Sequence, residues 1–494
     1  MSSFPTKRRL FLGGGILALA LLAVVLLTRL ALTGLALGFF LKRAGATEIT
    51  YNVTGVSPWR VVVEDVGFLL KRQGFAAKHV SFDRSHWWSA SLGKVRVEQA
   101  RVPLAIDSLA EKTQPAGGGA ATGPVHLPFE ELSVDGQVIV QVAGLADQAL
   151  TMKLAAKQGG DQVWSAQVQV DAPGLTLTAN GTYDAGKQQL DFTVPAVAVD
   201  LKTWQGFAQR VAPVPALDGW ELTGKLSGHA AGRFAEGRLA ANGSLQVREG
   251  RLENSAKAIT AEGVDLDLEF LDFGQVRTKP GTLRVREVRT GQLPLRDLAA
   301  EFSLAGIDQI EVAHVTLSAL GGKVSTEPFT FFPSRDELKA VVLVEGISIE
   351  QVMALTQDLP AKAKGQVNGR FPISVNPSGL HLGTGWLSLK PGVNAEIEFN
   401  AKGLLTGGTS PSSPSYAVLQ KIESGLLKLG ISELRLDIQP PAGPAGRSAT
   451  LHLKGAPLDP EVKAPVILDL NVNGPLEKLL KLGMGSGISV GAKP

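Results

Sequence analysis

Asp265, Asp267 and Glu269 sit two residues apart in the run GVDLDLEFLDF (263–273). Paired carboxylates can trade protons, so this is the first place to look for chemistry. Their neighbours argue otherwise. Val264, Leu266, Leu268 and Phe270 alternate with them, the period-2 pattern of a strand with one apolar face. The carboxylates then form the solvated face of that strand. The seven histidines, His79, His86, His126, His229, His314, His381 and His452, are scattered. None forms HExxH, and zinc and di-iron sites need clustered ligands. His314, in EVAHVTL, reads as a strand residue with a satisfied ring. There is no G-x-S-x-G elbow, no P-loop and no GxGxxG after a strand. The absence of cysteine from 494 residues excludes disulfides, thiolate metal sites and cysteine nucleophiles. The expectation is a non-enzyme with no catalytic residue, no metal and no cofactor.

The elements that would carry a surface function are plainer. Leu10–Leu27 is apolar and uncharged, and at about 1.5 Å per residue it nearly spans a hydrocarbon core of about 30 Å. Lys7, Arg8 and Arg9 precede it, which places the N-terminus in the cytoplasm. The body then lies on the far side, in a bacterium the periplasm. RRLFL (8–12) resembles a twin-arginine signal and Ala44-Gly45-Ala46 a cleavage site, but the apolar region exceeds the 7–15 residues of a cleavable core. An uncleaved inner-membrane signal anchor is the reading. Six of the 49 basic residues precede Glu48, so the remainder holds 43 bases against 46 acids. A body of that balance is not a nucleic-acid binder.

From residue 44 onward the pattern is strands. Alternation appears at Val95/Val97, Val168/Val170 and Leu190/Phe192/Val194. Leu434, Leu436 and Ile438 alternate with Glu433, Arg435 and Asp437, and Leu468, Leu470 and Val472 with Asp469, Asn471 and Asn473. AANGS (240–244), EGRLE (249–253), ALGGK (319–323) and NPSG (376–379) read as turns. Loose G-x-L-x-V units recur at 243–250, 281–287 and 385–392. Helix signals are few: 200–212, 347–357, and 475–484, which opens on Pro475. TQPAGGGAATGP (113–124), TGGTSPSSPS (406–415) and QPPAGPAG (439–446) read as loops.

A long sheet with one apolar face must cover that face. Too few helices are predicted to do so. A second sheet could, or the sheet could curl into a groove filled by something apolar. Lipid acyl chains are such a filler, each buried CH₂ contributing about 0.8 kcal/mol. Some 30 strands at 4.8 Å would stack to roughly 140 Å.

At this point the chain resembles the YdbH branch of the AsmA-like proteins. The resemblance lies in TEITYNVTGVSPWRVVVEDVGF (47–68), RVREVRTGQLPLRDLAAEFSL (284–304), VTLSALGGKVSTEPFTF (315–331) and LVEGISIEQVMAL (343–355). It is most specific in GQVNGRFPISVNPSGLHLGTGWLSLKPG (365–392), and continues in 451–482. Residues 125–220 match only in general strand character. The resemblance implies an inner-membrane-anchored bridge with an elongated, curled β-sheet forming a hydrophobic groove. It implies carriage of phospholipids between inner and outer membranes, and a small outer-membrane lipoprotein that extends the C-terminal β edge. A label of dicarboxylate transport also attaches to this domain, but a single span builds no midplane carrier site.

The organisation expected is mainly β. Residues 1–43 form the cytoplasmic tip and transmembrane anchor, 44–112 an N-terminal β module and 113–124 a linker. Residues 125–474 form the elongated groove, with YdbH-like character strongest from about 240, and 475–494 a short helix and tail. The expected groove residues are Val264, Leu266, Leu268, Phe270, Leu434, Leu436, Ile438, Leu468, Leu470 and Val472. The rival reading is an envelope structural or assembly factor for outer-membrane proteins.

Overall fold

A computed structural model of the chain describes residues 46–473, with breaks at 58, 71–72, 85–91, 106–128, 143, 161, 212–217, 236–237, 291–292, 336, 355–360, 377–378, 400–405, 407–409, 440–446 and 459–464. The expected anchor, the 113–124 linker and the 475–484 helix lie outside the described residues. No helix among the described residues is long and apolar enough to cross a membrane.

The described chain is mainly β, and it divides into two compact units. The first takes in residues up to Asp218 together with Thr223–Gln246 and Glu269–Gly274. The second takes in Gly219–Leu222, Val247–Leu268 and the chain from Gln275 onward.

In the first unit, β1 (Ala46–Val56), β2 (Arg60–Leu70), β3 (Gln73–Arg84) and β4 (Leu92–Ala105) form an antiparallel meander. β5 (Phe129–Gln141) then lies parallel to β4. Parallel neighbours need a long connection, which residues 106–128 supply. The antiparallel course resumes through β6 (Gln148–Gly160), β7 (Val163–Ala172), β8 (Leu175–Asp184), β9 (Gln189–Asp200) and β10 (Glu221–Ala235). Register explains the core. Val61 faces Phe82, which faces Val95, and Val63 faces Val80, which faces Val97. The pleat puts all six on one side. Val63, Val80 and Val95 are fully buried. Phe129 closes the cluster edge-on against Trp164, ring centroids 5.2 Å apart.

α1 (Leu201–Val211) follows β9 and confirms the helix expected at 200–212. Asp200 caps it: Oδ1 accepts from the Thr203 N–H (2.9 Å) and O–H (2.7 Å). Trp204 pins the helix by donating from its ring N–H to the Pro173 carbonyl (3.0 Å).

Next come β11 (Arg238–Asn254), β12 (Ile259–Asp272), β13 (Arg277–Thr278), β14 (Gly281–Thr290), β15 (Leu293–Gly306), β16 (Gln309–Ala319), β17 (Gly322–Thr326), β18 (Phe329–Phe331) and β19 (Leu338–Ser348). α2 (Ile349–Ala354) confirms the second expected helix. β20 (Ala361–Lys364), β21 (Gln366–Asn376), β22 (Gly379–Leu382), β23 (Gly385–Leu389) and β24 (Ala395–Phe399) lead to α3 (Tyr416–Leu427), which the sequence reading missed. β25 (Lys428–Ile438), β26 (Arg447–Pro457) and β27 (Val466–Asn473) close the described chain.

Two expected turns are confirmed. ALGGK joins β16 to β17 with Leu320 and Gly321 left-handed (φ 48° and 75°), and Asn376 pairs with Gly379 across NPSG. Two others are corrected. AANGS and EGRLE lie inside β11. Gly243 serves a close approach there, because a Cβ would fall 2.8 Å from the Ala230 Cα on β10. Gly281, which opens a G-x-L-x-V unit, serves the same need: a Cβ would lie 2.6 Å from both the Asp267 carbonyl and Leu268 Cδ2.

Gly281→Ala should therefore destabilise the second unit by roughly 1–3 kcal/mol, read as a lower urea midpoint. The Thr203 hydroxyl, then the Thr203 N–H, holds the Asp200 carboxyl below its ordinary value. That stabilisation is present above the unfolded pKa of about 4 and is lost as pH falls through the folded one. The difference in urea midpoint between wild type and Asp200→Ala should be clear at neutral pH and should shrink on acidification.

Candidate functional site

The residues of interest come together through register. In antiparallel pairs, directly opposed residues share a face. Leu266 on β12 opposes Leu283 on β14, which opposes Ala300 on β15, which opposes Val315 on β16. Two residues on, Leu317 opposes Val324, which opposes Val344 on β19 and then Gly369 on β21. The row continues through Leu387, Leu436 and Leu451. An apolar track thus crosses ten strands of the second unit, roughly 43 Å at about 4.8 Å per strand.

This track is not a finished core. Leu266, Leu283, Val315, Leu317, Val324, Val344, Leu387, Leu436 and Leu451 are all half-buried. Rows beside it are tighter: Val342, Ile438 and Ala449 on one side, Ile347, Val367 and Leu453 on the other, are buried. A side chain of this kind gains about 1.5–3 kcal/mol on full burial, and the track leaves part of that unrealised.

The opposite face is ionic. Arg248 bonds Asp267 (2.5 Å), and that hydrogen bond raises the arginine's pKa. Asp265 accepts from the Glu249 N–H (2.9 Å). Arg435 pairs with Asp437 (3.0 Å), His452 with Asp469 (2.6 Å) and Arg370 with Glu327 (2.8 Å). Arg289 holds the Glu287 carboxyl below its ordinary value, chiefly by hydrogen bonding. These pairs are exposed and add little stability. They keep one side of the sheet wetted.

Each expected residue can be placed. Val264, Leu266 and Leu268 share the apolar face, with Leu268 lying over Gly281. Phe270 belongs to the first unit and stacks on Phe273, ring centroids 4.4 Å apart. Leu434 opposes Leu453, which opposes Leu468, in a cluster with Ala395, Leu429 and Ile431. Leu436 is in the track and Ile438 is buried beside it. Leu470 and Val472 oppose Leu451 and Ala449 in the backbone register. The sequence reading missed Leu283, Val315, Leu317, Val324, Val344, Leu387 and Leu451. Their signal was present: GTLRV and GWLSL were noticed as recurring units without being read as one face.

Among the described residues no three of His, Asp and Glu gather as a metal site. His229 pairs with the Ser244 hydroxyl (2.7 Å), and His314 faces Glu301 at 3.8 Å. His314 is thus the strand residue expected.

The sequence profile of the YdbH-like family, described as intermembrane phospholipid transport protein YdbH, matches residues 145–393. That is just over half the chain. The chain belongs to the YdbH-like family. It is a lipid-transport family, not a family of enzymes. No curated protein and no solved structure matches the chain. The YdbH-like region contains Val264, Leu266, Leu268 and Phe270, and it ends one residue after the segment 365–392. It also takes in 145–220, where the sequence offered only general strand character.

If nothing in the chain fills the track, truncation there should cost less than truncation beside it. Leu453→Ala, in the buried cluster, should lose about 2–4 kcal/mol, and Leu436→Ala less than half of that. Urea titration of the two variants makes the comparison.

Proposed function

We propose that this chain is an inner-membrane-anchored periplasmic bridge that carries phospholipids between the inner and outer membranes. The observation that carries the reading is the half-buried apolar track of the second unit, together with membership of a phospholipid-transport family. Acyl chains complete the burial that the sheet leaves unrealised, at about 0.8 kcal/mol per CH₂. Head groups stay in water. The track makes no polar contact that would select one lipid or fix its position, so a chain can slide along it.

The remaining parts follow from chemistry. Leu10–Leu27 is the membrane anchor, with Lys7, Arg8 and Arg9 holding the N-terminus in the cytoplasm. Among the described strands β27 pairs with β26 alone. Its second edge suits strand addition by a small outer-membrane lipoprotein that extends the groove.

The test is photo-crosslinking in living cells with labelled phospholipid. A photoreactive residue at Leu266 or Leu436 should capture lipid, and one at Thr282, on the ionic face, should not. Leu436→Asp should block passage in cells lacking redundant paralogues. Capture of polypeptide in place of lipid at Leu266 and Leu436 would favour an envelope assembly factor and sink the transport reading.

A further inference from the structure

The ionic face of the first unit is interrupted at one end of its strands. Over most of that face bases find acids: Arg60 pairs with Asp83 (3.4 Å), Lys94 with Glu131 (3.1 Å) and Arg96 with Glu98 (3.9 Å). Toward the other end of the same strands the face turns small and apolar. Gly67 on β2 opposes Ala76 on β3, which opposes Arg101 on β4. In the next row Leu69 opposes Gly74, and Pro103 on β4 lies level with Ile139 on β5. A Cβ at Gly74 would touch Leu69 Cδ2 at 3.6 Å and Pro103 Cγ at 3.9 Å, so these side chains share its face. Leu69, Pro103 and Ile139 are half-buried. On the opposite face Phe68 stacks on Phe75, ring centroids 5.2 Å apart. This end of the sheet is therefore apolar on both sides.

With Gly67, Gly74 and Ala76 as its floor, the outer face holds a dent of about 300 Å³. Glu48 and Thr50 of β1 wall it on one side, Arg101 and Pro103 of β4 on the other. Glu48 and Arg101 are exposed, and among the described residues neither forms an ion pair. The dent thus presents one free cation and one free anion on opposite walls, with an apolar rim at the strand ends. A guanidinium is a strong partner for a phosphate. A carboxylate facing it suits an ammonium. A zwitterionic head group carries both charges, and its glycerol esters would meet Leu69 and Pro103. Thr47 is four residues past Arg43, and four residues reach at most about 14 Å. The dent is then within reach of the far end of the proposed anchor, where such head groups lie.

We infer that this dent seats the head group of a zwitterionic phospholipid, phosphatidylethanolamine, at the membrane surface, with Arg101 on the phosphate and Glu48 on the ammonium. The inference rests on the anchored-bridge reading. The membrane covers the strand ends that are apolar on both faces, and the dent supplies the head-group selection that the track does not.

The test uses the full chain in vesicles of phosphatidylethanolamine and phosphatidylglycerol, with one lipid or the other labelled. A photoreactive residue at Ala76, on the floor of the dent, should capture phosphatidylethanolamine over phosphatidylglycerol by roughly threefold, about the worth of one exposed ion pair. Arg101→Gln should lower capture of both lipids. Glu48→Gln should abolish the preference, with phosphatidylglycerol capture rising. Both side chains are exposed, so neither substitution threatens the fold. A photoreactive residue at Ser133, on the same face beyond the dent, should capture neither lipid. Equal capture of the two lipids by the unsubstituted dent, or capture indifferent to Arg101→Gln, overturns the site. No capture at Ala76 while Leu266 captures lipid also overturns it and leaves the transport reading standing. Selective capture at Ala76 with none at Leu266 would overturn the transport reading instead.

Discussion

The structure depends on directly opposed apolar residues whose pairing runs from strand to strand. A sheet normally buries its apolar face against helices or another sheet. In the first unit the face is fully buried at its centre, with Val63, Val80 and Val95 at zero exposure. In the second unit the same construction stops short. The row from Leu266 to Leu451 is apolar, continuous and half-buried. The difference lies in what is brought over the face. Phe82, Phe129 and Trp164 add bulk to the buried cluster of the first unit. The rows of the second unit are leucines and valines, and among the described residues α2 and α3 are its helices.

The ionic face is the complement of that constraint. A sheet apolar on both sides would aggregate, and one polar on both would present no apolar row. Alternation solves both with one residue spacing. Asp265 and Asp267 are therefore structural: they bind the Glu249 N–H and Arg248, and hold the strands that present Leu266. Their spacing, which first suggested acid–base chemistry, is a by-product of the pleat.

Much of this was legible in the sequence because alternation is a local signal. Val264, Leu266 and Leu268 could be assigned to one face from eleven residues. What could not be read was where alternation slips. At Gly263 and Asp297 the backbone turns left-handed, φ 64° and 52°. Beyond that row the apolar positions change parity: Ala261, Val288 and Leu295 oppose one another where Val264, Val285 and Leu298 did before. An aspartate gives little warning of such a bend. Gly243 misled in the other direction, since glycine signals a turn more often than a close approach of strands. α3 was missed because the Ser- and Pro-rich run before it reads as loop.

Under the transport reading, the half-buried state of the track is also its working condition. A fully buried row would bind nothing, since its burial is already complete. A fully exposed one would draw in any apolar surface, including its own kind. Leu387 and Leu436 sit between these limits, beside buried Ile438 and Ala449 that fix the strands whether or not the track is filled. Rigid margins and an incomplete centre separate folding from cargo. Under that reading the sheet keeps its register when a lipid departs, because the hydrogen bonds and the buried rows persist. Only the last increment of apolar burial is exchanged between passenger and water. That increment must stay small per contact for a lipid to move on, and a row of aliphatic side chains with no polar partner to break keeps it so.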